Sequence, residues 1–343
     1  MPFQITTQPF GPLATEATPL TEYLLEHTES GEFISVIPGF GGILRRLVLR
    51  KDKNVFALIH APDSPQALLA DEGYASAFLY PFPSRVRHGV YHFEGQDLTL
   101  PINETRRYNA IHGLVHGKPF TVVSQDVSPI HAQLVLRYDY AGEEAGYPFP
   151  FSLTITYELI QADQLAVGSN AGSDKMCALR ISYAARNAGT MRCPAAFGWH
   201  PYFTFSEEDL SDLTLSLPAR TRIELDDDMM PCGRLPLENA ETISLKDREL
   251  DTPYAIEPTG VPAKGIPFAE TMLTSIKTGI RLIIGQEVGE GKLNYLVCFT
   301  PPRRDSMAIE PLTANVNAFN NGEGLTILNP GDTMSGSIWI RLE

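Results

Sequence analysis

Residues 151–159 read Phe151-Ser-Leu-Thr-Ile-Thr-Tyr-Glu-Leu159, with apolar and polar side chains in strict alternation. A period of two places all the apolar side chains on one side of an extended chain, so the segment is predicted to be a strand with one buried and one wetted face. Similar short runs occur at 132–138, 177–185, 213–217, 280–285, 295–300 and 336–342. Many short strands, separated by turn formers, predict an all-β sandwich or barrel.

Two runs near the N-terminus predict a β-hairpin. Residues 23–28 and 33–38 flank a short polar loop in which Gly31 can adopt the positive φ that a hairpin loop often needs. The segments that follow are predicted to be two strands and a short helix, at 44–49, 55–60 and 66–72. Because no repeat, low-complexity segment or linker-like change in composition divides the chain, residues 1–343 are predicted to form one domain that opens with this hairpin.

Composition and charge exclude several classes of protein. The formal charge of -14 is spread along the chain and repels nucleic acid and anionic membranes. No run approaches the roughly 18 apolar residues of a membrane span, and the first residues carry no secretion signal, so we expect a cytoplasmic protein. The four cysteines form no C-x-x-C pair and are predicted to be reduced thiols. A small molecule is therefore the expected partner.

His200 lies in the aromatic segment Phe197-Gly-Trp-His-Pro-Tyr-Phe203. The proline that follows it favours extended backbone and the end of a strand. Imidazole exchanges protons near neutral pH, so His200 is a candidate acid or base, and the alternative is a core histidine held by backbone hydrogen bonds. Trp199 or Tyr202 could stack on a ligand or pack the sandwich.

Arginine and histidine side chains of two loops could also reach a ligand. Arg85 can donate paired hydrogen bonds to hydroxyl or carboxylate groups. From the sequence alone, Arg87 and His88 are equally good candidates for a ligand contact. His112 and His116 are four residues apart, as in a helical metal site, but Gly113 and Gly117 disfavour a helix there and the glutamate of the H-E-x-x-H motif is absent. No metal is therefore expected, and His112 is the better candidate for a ligand contact.

Two carboxylates are candidates for acid and base chemistry. Glu310 lies in the apolar run Met307-Ala-Ile-Glu-Pro-Leu312, where burial would raise its pKa towards neutrality. Asp251 lies at a turn, in Leu250-Asp-Thr-Pro-Tyr254, and its alternative role is to cap that turn. Phosphate-loop, nucleophile-elbow and dinucleotide motifs are all absent from the sequence.

The chain resembles the aldose 1-epimerase (galactose mutarotase) family. The resemblance rests on segments that occur in the family's order, namely Pro81-Phe-Pro-Ser-Arg-Val-Arg-His-Gly89, Asn109-Ala-Ile-His-Gly113, Trp199-His-Pro-Tyr-Phe203, Leu250-Asp-Thr-Pro-Tyr254, Ile309-Glu-Pro-Leu-Thr313 and Leu328-Asn-Pro-Gly-Asp332. Ser84 departs from the family, which more commonly has asparagine before the arginine.

The resemblance implies a single large antiparallel β-supersandwich that holds a sugar in an open cleft. It also implies that Glu310 is the general base and His200 the general acid of an anomer interconversion, with no cofactor. Arg85, His112 and Asp251 would bind the sugar. The expected partner is therefore a small sugar, and the protein is expected to be a monomer or a homodimer.

Three alternatives to a mutarotase follow from the same residues. A non-catalytic carbohydrate-binding sandwich would use the same cleft without proton transfer. A hexose-phosphate epimerase would use Arg87, Arg303 or Arg304 to bind phosphate. A glycosidase would use Asp251 and Glu310 as its carboxylate pair. The sequence leaves the identity of the aldose open.

Overall fold

The computed structural model describes residues 1–14, 18–165, 176–205, 208–218, 220–237, 242–261 and 265–343. The described residues form 29 strands, which are β1 (Phe3–Gly11), β2 (Leu20–His27), β3 (Glu32–Ile37), β4 (Ile43–Lys51), β5 (Asn54–Ala57), β6 (Ile59–His60), β7 (Ala77–Leu79), β8 (Arg85–Val86), β9 (Val90–Phe93), β10 (Gln96–Thr99), β11 (Ala110–Ile111), β12 (Thr121–Val127), β13 (His131–Tyr140), β14 (Phe151–Gln161), β15 (Cys177–Asn187), β16 (Cys193–Ala195), β17 (Gly198–His200), β18 (Tyr202–Phe203), β19 (Leu213–Ser216), β20 (Arg220–Leu225), β21 (Pro231–Leu237), β22 (Thr242–Ser244), β23 (Asp251–Ile256), β24 (Phe268–Ser275), β25 (Arg281–Glu287), β26 (Tyr295–Phe299), β27 (Met307–Leu312), β28 (Thr326–Leu328) and β29 (Thr333–Leu342). Two short helices are α1 (Pro65–Ala70) and α2 (Ala318–Asn321).

The described residues form three large antiparallel sheets and three two-stranded sheets, which confirms the predicted all-β fold class. The first has the strand order β1-β2-β3-β4-β5 and the second the order β12-β13-β14-β15-β29-β25-β24-β19-β22. The third has the order β21-β20-β23-β26-β27-β17-β7, with β18 joining β27 to β6. Apolar side chains of all three sheets belong to one buried cluster, as expected when sheets stack face to face.

Strand β14 shows how the alternating pattern builds the core. Leu153, Ile155 and Tyr157 are completely buried. The opposite face is less exposed to solvent than predicted, because Glu158 is also buried and forms an ion pair with Arg180 on β15. Charge pairing across neighbouring strands allows a carboxylate to lie on a largely covered sheet face.

The N-terminal sheet contains the predicted hairpin. Strands β2 and β3 pair with Tyr23 opposite Val36. A strand that the sequence pattern did not predict, β1, precedes the hairpin and pairs with β2. Most side chains of β1 are exposed, so it lacks the apolar periodicity that identifies a strand from sequence.

The third sheet has two different faces, which are set by strand register. Trp199, Phe203 and Ile309 point into the buried core. The residues between them point the other way, and we call this other side the site face. Its side chains come from six strands, β7, β17, β18, β27, β26 and β23. They are Ala77, Leu79, His200, Tyr202, Ala308, Glu310, Leu312, Val297, Phe299 and Asp251.

Candidate active site

His200 is the last residue of β17, as its position before Pro201 predicts. Gly198 pairs with Leu312, and Tyr202 pairs with Ala308, on the same strand β27. This continuous register brings His200 directly opposite Glu310. Because cross-strand neighbours have their Cβ atoms about 5 Å apart, the sheet itself holds the two side chains together.

The two side chains are in contact. His200 Nε2 lies 3.4 Å from Glu310 Oε1, and the side chains are only 7% and 4% exposed. Burial lowers the pKa of His200 to about 4 and raises the pKa of Glu310 well above its ordinary value. Both shifts follow from the cost of placing a charge in a poorly solvated position. Burial therefore favours a neutral His200 and a protonated Glu310, a state in which the pair holds one proton.

His112 lies beside this pair. Its ring packs edge-on against that of His200, with centroids 5.2 Å apart. The backbone N–H of Ser84 donates to His112 Nδ1, and burial, followed by the charges of neighbouring groups, holds the pKa of His112 well below 6.5. A neutral imidazole whose Nδ1 accepts a hydrogen bond carries its proton on Nε2, so His112 is a donor.

The same contact explains why serine is compatible with position 84. Ser84 is buried and holds a left-handed backbone conformation, with φ of 55°. Its backbone N–H, rather than its side chain, binds the imidazole of His112. Any residue that tolerates this conformation offers the same donor, and asparagine does so more readily than most.

Arg85 and Arg87 have different surroundings. Arg85 donates from Nε and Nη2 to both carboxylate oxygens of Glu104, and its side chain is 14% exposed. Its charge lowers the pKa of Glu310 against the larger effect of burial. Arg87 forms an exposed ion pair with Asp228. Of the two arginines, Arg85 is therefore the one beside the candidate acid and base.

Asp251 is the first residue of β23 and lies on the site face. Its side chain is accessible to water, yet surrounding protein raises its pKa by desolvation, while Arg85 and Arg107 lower it. No hydrogen bond from the described residues reaches its carboxylate, so the turn-capping alternative has no support in the structure. The structure thus brings all five predicted site residues to one region.

Trp199 and Tyr202 occupy opposite faces. Trp199 is fully buried in the core, and its indole N–H donates to the carbonyl oxygen of Ser76. Tyr202 lies on the site face beside His200, and its hydroxyl donates to the carbonyl oxygen of Gly73. Only Tyr202 of these two aromatic residues can therefore contribute to the surroundings of a ligand.

Sequence reasoning missed three residues of the region, Tyr74, Asn103 and Glu104. Glu104 holds Arg85, and Asn103 binds both backbone groups of Ile111, next to His112. The Tyr74 ring packs against His112, with centroids 4.7 Å apart. Asn103 and Glu104 lie in a polar loop with no pattern that marks them. For Tyr74, the presence of an aromatic residue in a turn is the one feature of the sequence that indicates a functional role.

Other chemistry-bearing groups do not form a second centre. Across the described residues, no group of three or more His, Cys, Asp or Glu side chains is arranged to hold a metal ion. In the same part of the chain, no helix is long and apolar enough to cross a membrane. All four cysteines are free thiols, and of these only Cys232 is exposed.

Known structures share this fold along almost the entire chain. A galactose mutarotase-like protein from Clostridium acetobutylicum has a TM-score of 0.78 and 18% identity, with 99% of this chain and 98% of that chain covered. Galactose 1-epimerase from Lactobacillus acidophilus has a TM-score of 0.74 and 17% identity, with 99% of both chains covered. These likenesses confirm the mutarotase-like fold that the sequence predicted.

Relatives in sequence lead to the same family. Uncharacterized protein YihR of Escherichia coli K12 is 26% identical over 258 residues, which are 74% of each chain. Maltose epimerase of Levilactobacillus brevis is 28% identical over 157 residues, which are 44% of this chain and 40% of that protein. The sequence profile of the family described as aldose 1-epimerase matches residues 23–341. This chain therefore belongs to the aldose 1-epimerase family.

Proposed function

We propose that the protein is a mutarotase, which interconverts the α and β anomers of an aldose. The observation that carries the proposal is the 3.4 Å contact between His200 Nε2 and Glu310 Oε1 in a buried part of the site face. The anomeric hydroxyl oxygen and the ring oxygen of a pyranose are both bonded to C1. An acid and a base that must reach two such oxygens have to be neighbours, as these two groups are.

The protonation of the pair suits this chemistry. A protonated Glu310 with a neutral His200 holds the same single proton as a Glu310 carboxylate with a His200 imidazolium. Burial favours the first form in the free protein, and the positive charge of Arg85 favours the carboxylate. Moving the proton within the pair therefore prepares a base and an acid without uptake from solvent.

Ring opening then proceeds in one balanced step. The Glu310 carboxylate accepts the proton of the anomeric hydroxyl, and the electron pair of that O–H bond forms the C1 carbonyl. The bond between C1 and the ring oxygen breaks, and the ring oxygen takes a proton from the His200 imidazolium. Rotation about the C1–C2 bond turns the aldehyde over, and the reverse transfers close the ring to the other anomer.

Neighbouring groups would hold the open chain. His112 is kept neutral and presents an Nε2–H donor. Arg85 is fixed by Glu104, and no hydrogen bond from the described residues occupies its Nη1 group. Donors held in place before the reaction stabilise developing charge without reorganisation. Asp251 offers an accessible carboxylate that can accept from a sugar hydroxyl.

An unphosphorylated aldose is the substrate class that fits best. The guanidinium of Arg304 binds the backbone carbonyl oxygens of Leu245 and Arg248. Arg303 is an exposed partner of Asp305, and Arg87 is an exposed partner of Asp228. The arginines that could serve a phosphate are thus occupied elsewhere. Two relatives named above are a galactose 1-epimerase and a maltose epimerase.

Polarimetry tests the proposal. Freshly dissolved α anomers of glucose, galactose and maltose, and of glucose 6-phosphate, are followed with and without the protein. We expect faster mutarotation of at least one unphosphorylated sugar, and a loss of about 10²- to 10⁴-fold in kcat/KM for His200→Asn. Spontaneous rates for every sugar would favour the carbohydrate-binding alternative. A His200→Asn variant that equals wild type would remove His200 from the mechanism.

A further inference from the structure

Tyr74 borders the candidate site but belongs to none of the motifs that suggest the family. Its ring is half-buried, with centroid distances of 4.7 Å to His112 and 4.8 Å to His116. The ring also packs against the apolar cluster of the site face that includes Leu79 and Leu312. One side of this phenol is therefore fixed against the residues beside the acid and base.

The hydrogen bonds of Asn103 determine what the Tyr74 hydroxyl can do. Asn103 Oδ1 accepts from the backbone N–H of Ile111, and Asn103 Nδ2 donates to the carbonyl oxygen of the same residue. A backbone N–H and a backbone carbonyl have fixed roles, so the orientation of this amide is determined. Nδ2 is also the atom that faces Tyr74, 3.1 Å from the hydroxyl oxygen.

The Tyr74 oxygen is consequently an acceptor in the free protein. Its own proton has no acceptor within the part of the chain that the structure describes. Desolvation by burial raises the pKa of Tyr74 against the smaller, lowering effect of the hydrogen bond from Asn103, so the phenol keeps this proton across the physiological range. The phenol thus accepts a hydrogen bond from the protein and has its own proton free to donate. Together with the neighbouring donor His112, it is suited to bind a hydroxyl group of a ligand.

The backbone at Tyr74 is strained. Tyr74 holds a left-handed conformation with φ of 57°, which is unfavourable for a bulky side chain. The carboxylate of Asp71 accepts hydrogen bonds from the backbone N–H groups of Gly73 and Ala75, on either side of it. The Tyr202 hydroxyl donates to the carbonyl oxygen of Gly73. Strain that surrounding contacts maintain in this way is characteristic of functional sites.

We propose that Tyr74 is a substrate-binding and specificity-determining residue, which donates its phenolic proton to one ring hydroxyl of the sugar. This inference rests on the proposed function. The hydroxyl in question is a neighbour of the one that His112 binds, because the two side chains pack together. Aldoses that lack this hydroxyl, or that carry it in the opposite configuration, lose the contact.

Removal of the phenolic hydroxyl tests the inference. Wild type and Tyr74→Phe are compared on the preferred aldose and on analogues in which each hydroxyl except the anomeric one is replaced in turn by hydrogen. We expect Tyr74→Phe to lower kcat/KM on the parent sugar by roughly 3- to 10-fold, the effect of one neutral hydrogen bond. On one deoxy sugar, wild type and variant should be equal.

Tyr91→Phe is the matched control, because the hydroxyl proton of Tyr91 is committed to the carbonyl oxygen of Gly146 and the residue is buried in the core. Its effect should be the same for every sugar. Equal activity of Tyr74→Phe and wild type on all sugars, or a uniform loss on all of them, would overturn the inference. Where a sugar binds without turnover, calorimetric Kd values replace kcat/KM, so the test is independent of catalysis. If no sugar binds to wild type, the inference and the proposed function both fail.

Discussion

The two faces of strand β27 differ in what they bury. On the core face, Met307 and Ile309 are completely buried among other apolar side chains. On the site face, Glu310 is almost as deeply buried, with a histidine in place of an apolar neighbour. Alternate residues of one strand therefore serve two purposes. Apolar burial on the core face stabilises the fold, whereas burial of titratable groups in contact on the site face destabilises it.

Replacement of Glu310 by glutamine changes the site face alone and should have the largest effect on activity. Glu310→Gln keeps the size of the side chain but removes the base, so we expect kcat/KM to fall by about 10²- to 10⁴-fold. The thermal midpoint should stay the same or rise, because folding no longer has to protonate a carboxylate or bury its charge at this position. Polarimetry and calorimetric unfolding measure the two quantities. A variant that loses activity only because it unfolds would contradict the expected division between the faces.

The neighbouring residue provides the opposite change. Ile309→Ala leaves a cavity in the core, and we expect the free energy of unfolding to fall by about 2–5 kcal/mol. The kcat/KM of the folded fraction should remain within a few-fold of wild type, because Ile309 points away from the site face. Chemical denaturation, followed by activity measurements well below the midpoint, checks both. Unchanged stability together with lost activity would show that the faces are not separable.

The sequence predicted the central strands better than the edges. Strand β14 carries a strict alternation because one of its faces is packed against the core. By contrast, β1 is largely exposed, and β21 contains Pro231 and Pro236 with few buried side chains. Such strands exist because a neighbouring strand offers backbone partners, and their own side chains record little of this.

Some residues of the candidate site could be predicted from the sequence and others could not, for a similar reason. His200 and Glu310 lie 110 positions apart in the sequence, and each is a titratable residue within an apolar run. Such a local conflict is visible before the fold is known. Glu104 and Asn103 lie in a polar loop, where acidic and amide residues are common. Their importance comes from contacts with Arg85 and Ile111, which only the fold creates.

The pH dependence of stability sharpens the comparison and has the smallest expected effect. Burial lowers the pKa of His200 to about 4 in wild type, and Glu310→Gln should preserve that burial, whereas in the unfolded chain the pKa is about 6.5. Between these values the unfolded state binds the extra proton, so stability present above pH 6.5 is progressively lost as the pH falls towards 4. The difference between the two pKa values corresponds to roughly 3 kcal/mol.

The double variant Glu310→Gln/His200→Asn is the control for this titration, because every other titrating group is common to the two proteins. We expect the free energy of unfolding of the single variant to fall relative to the double variant between pH 6.5 and 4. In wild type the effect should be masked. Because burial raises the pKa of Glu310, the folded protein holds a proton there in the pH range in which His200 of the unfolded chain binds one. The two states then bind the same number of protons. A parallel pH dependence of the two variants would mean that His200 is not held neutral by burial, and the single-proton pair would then have to be abandoned.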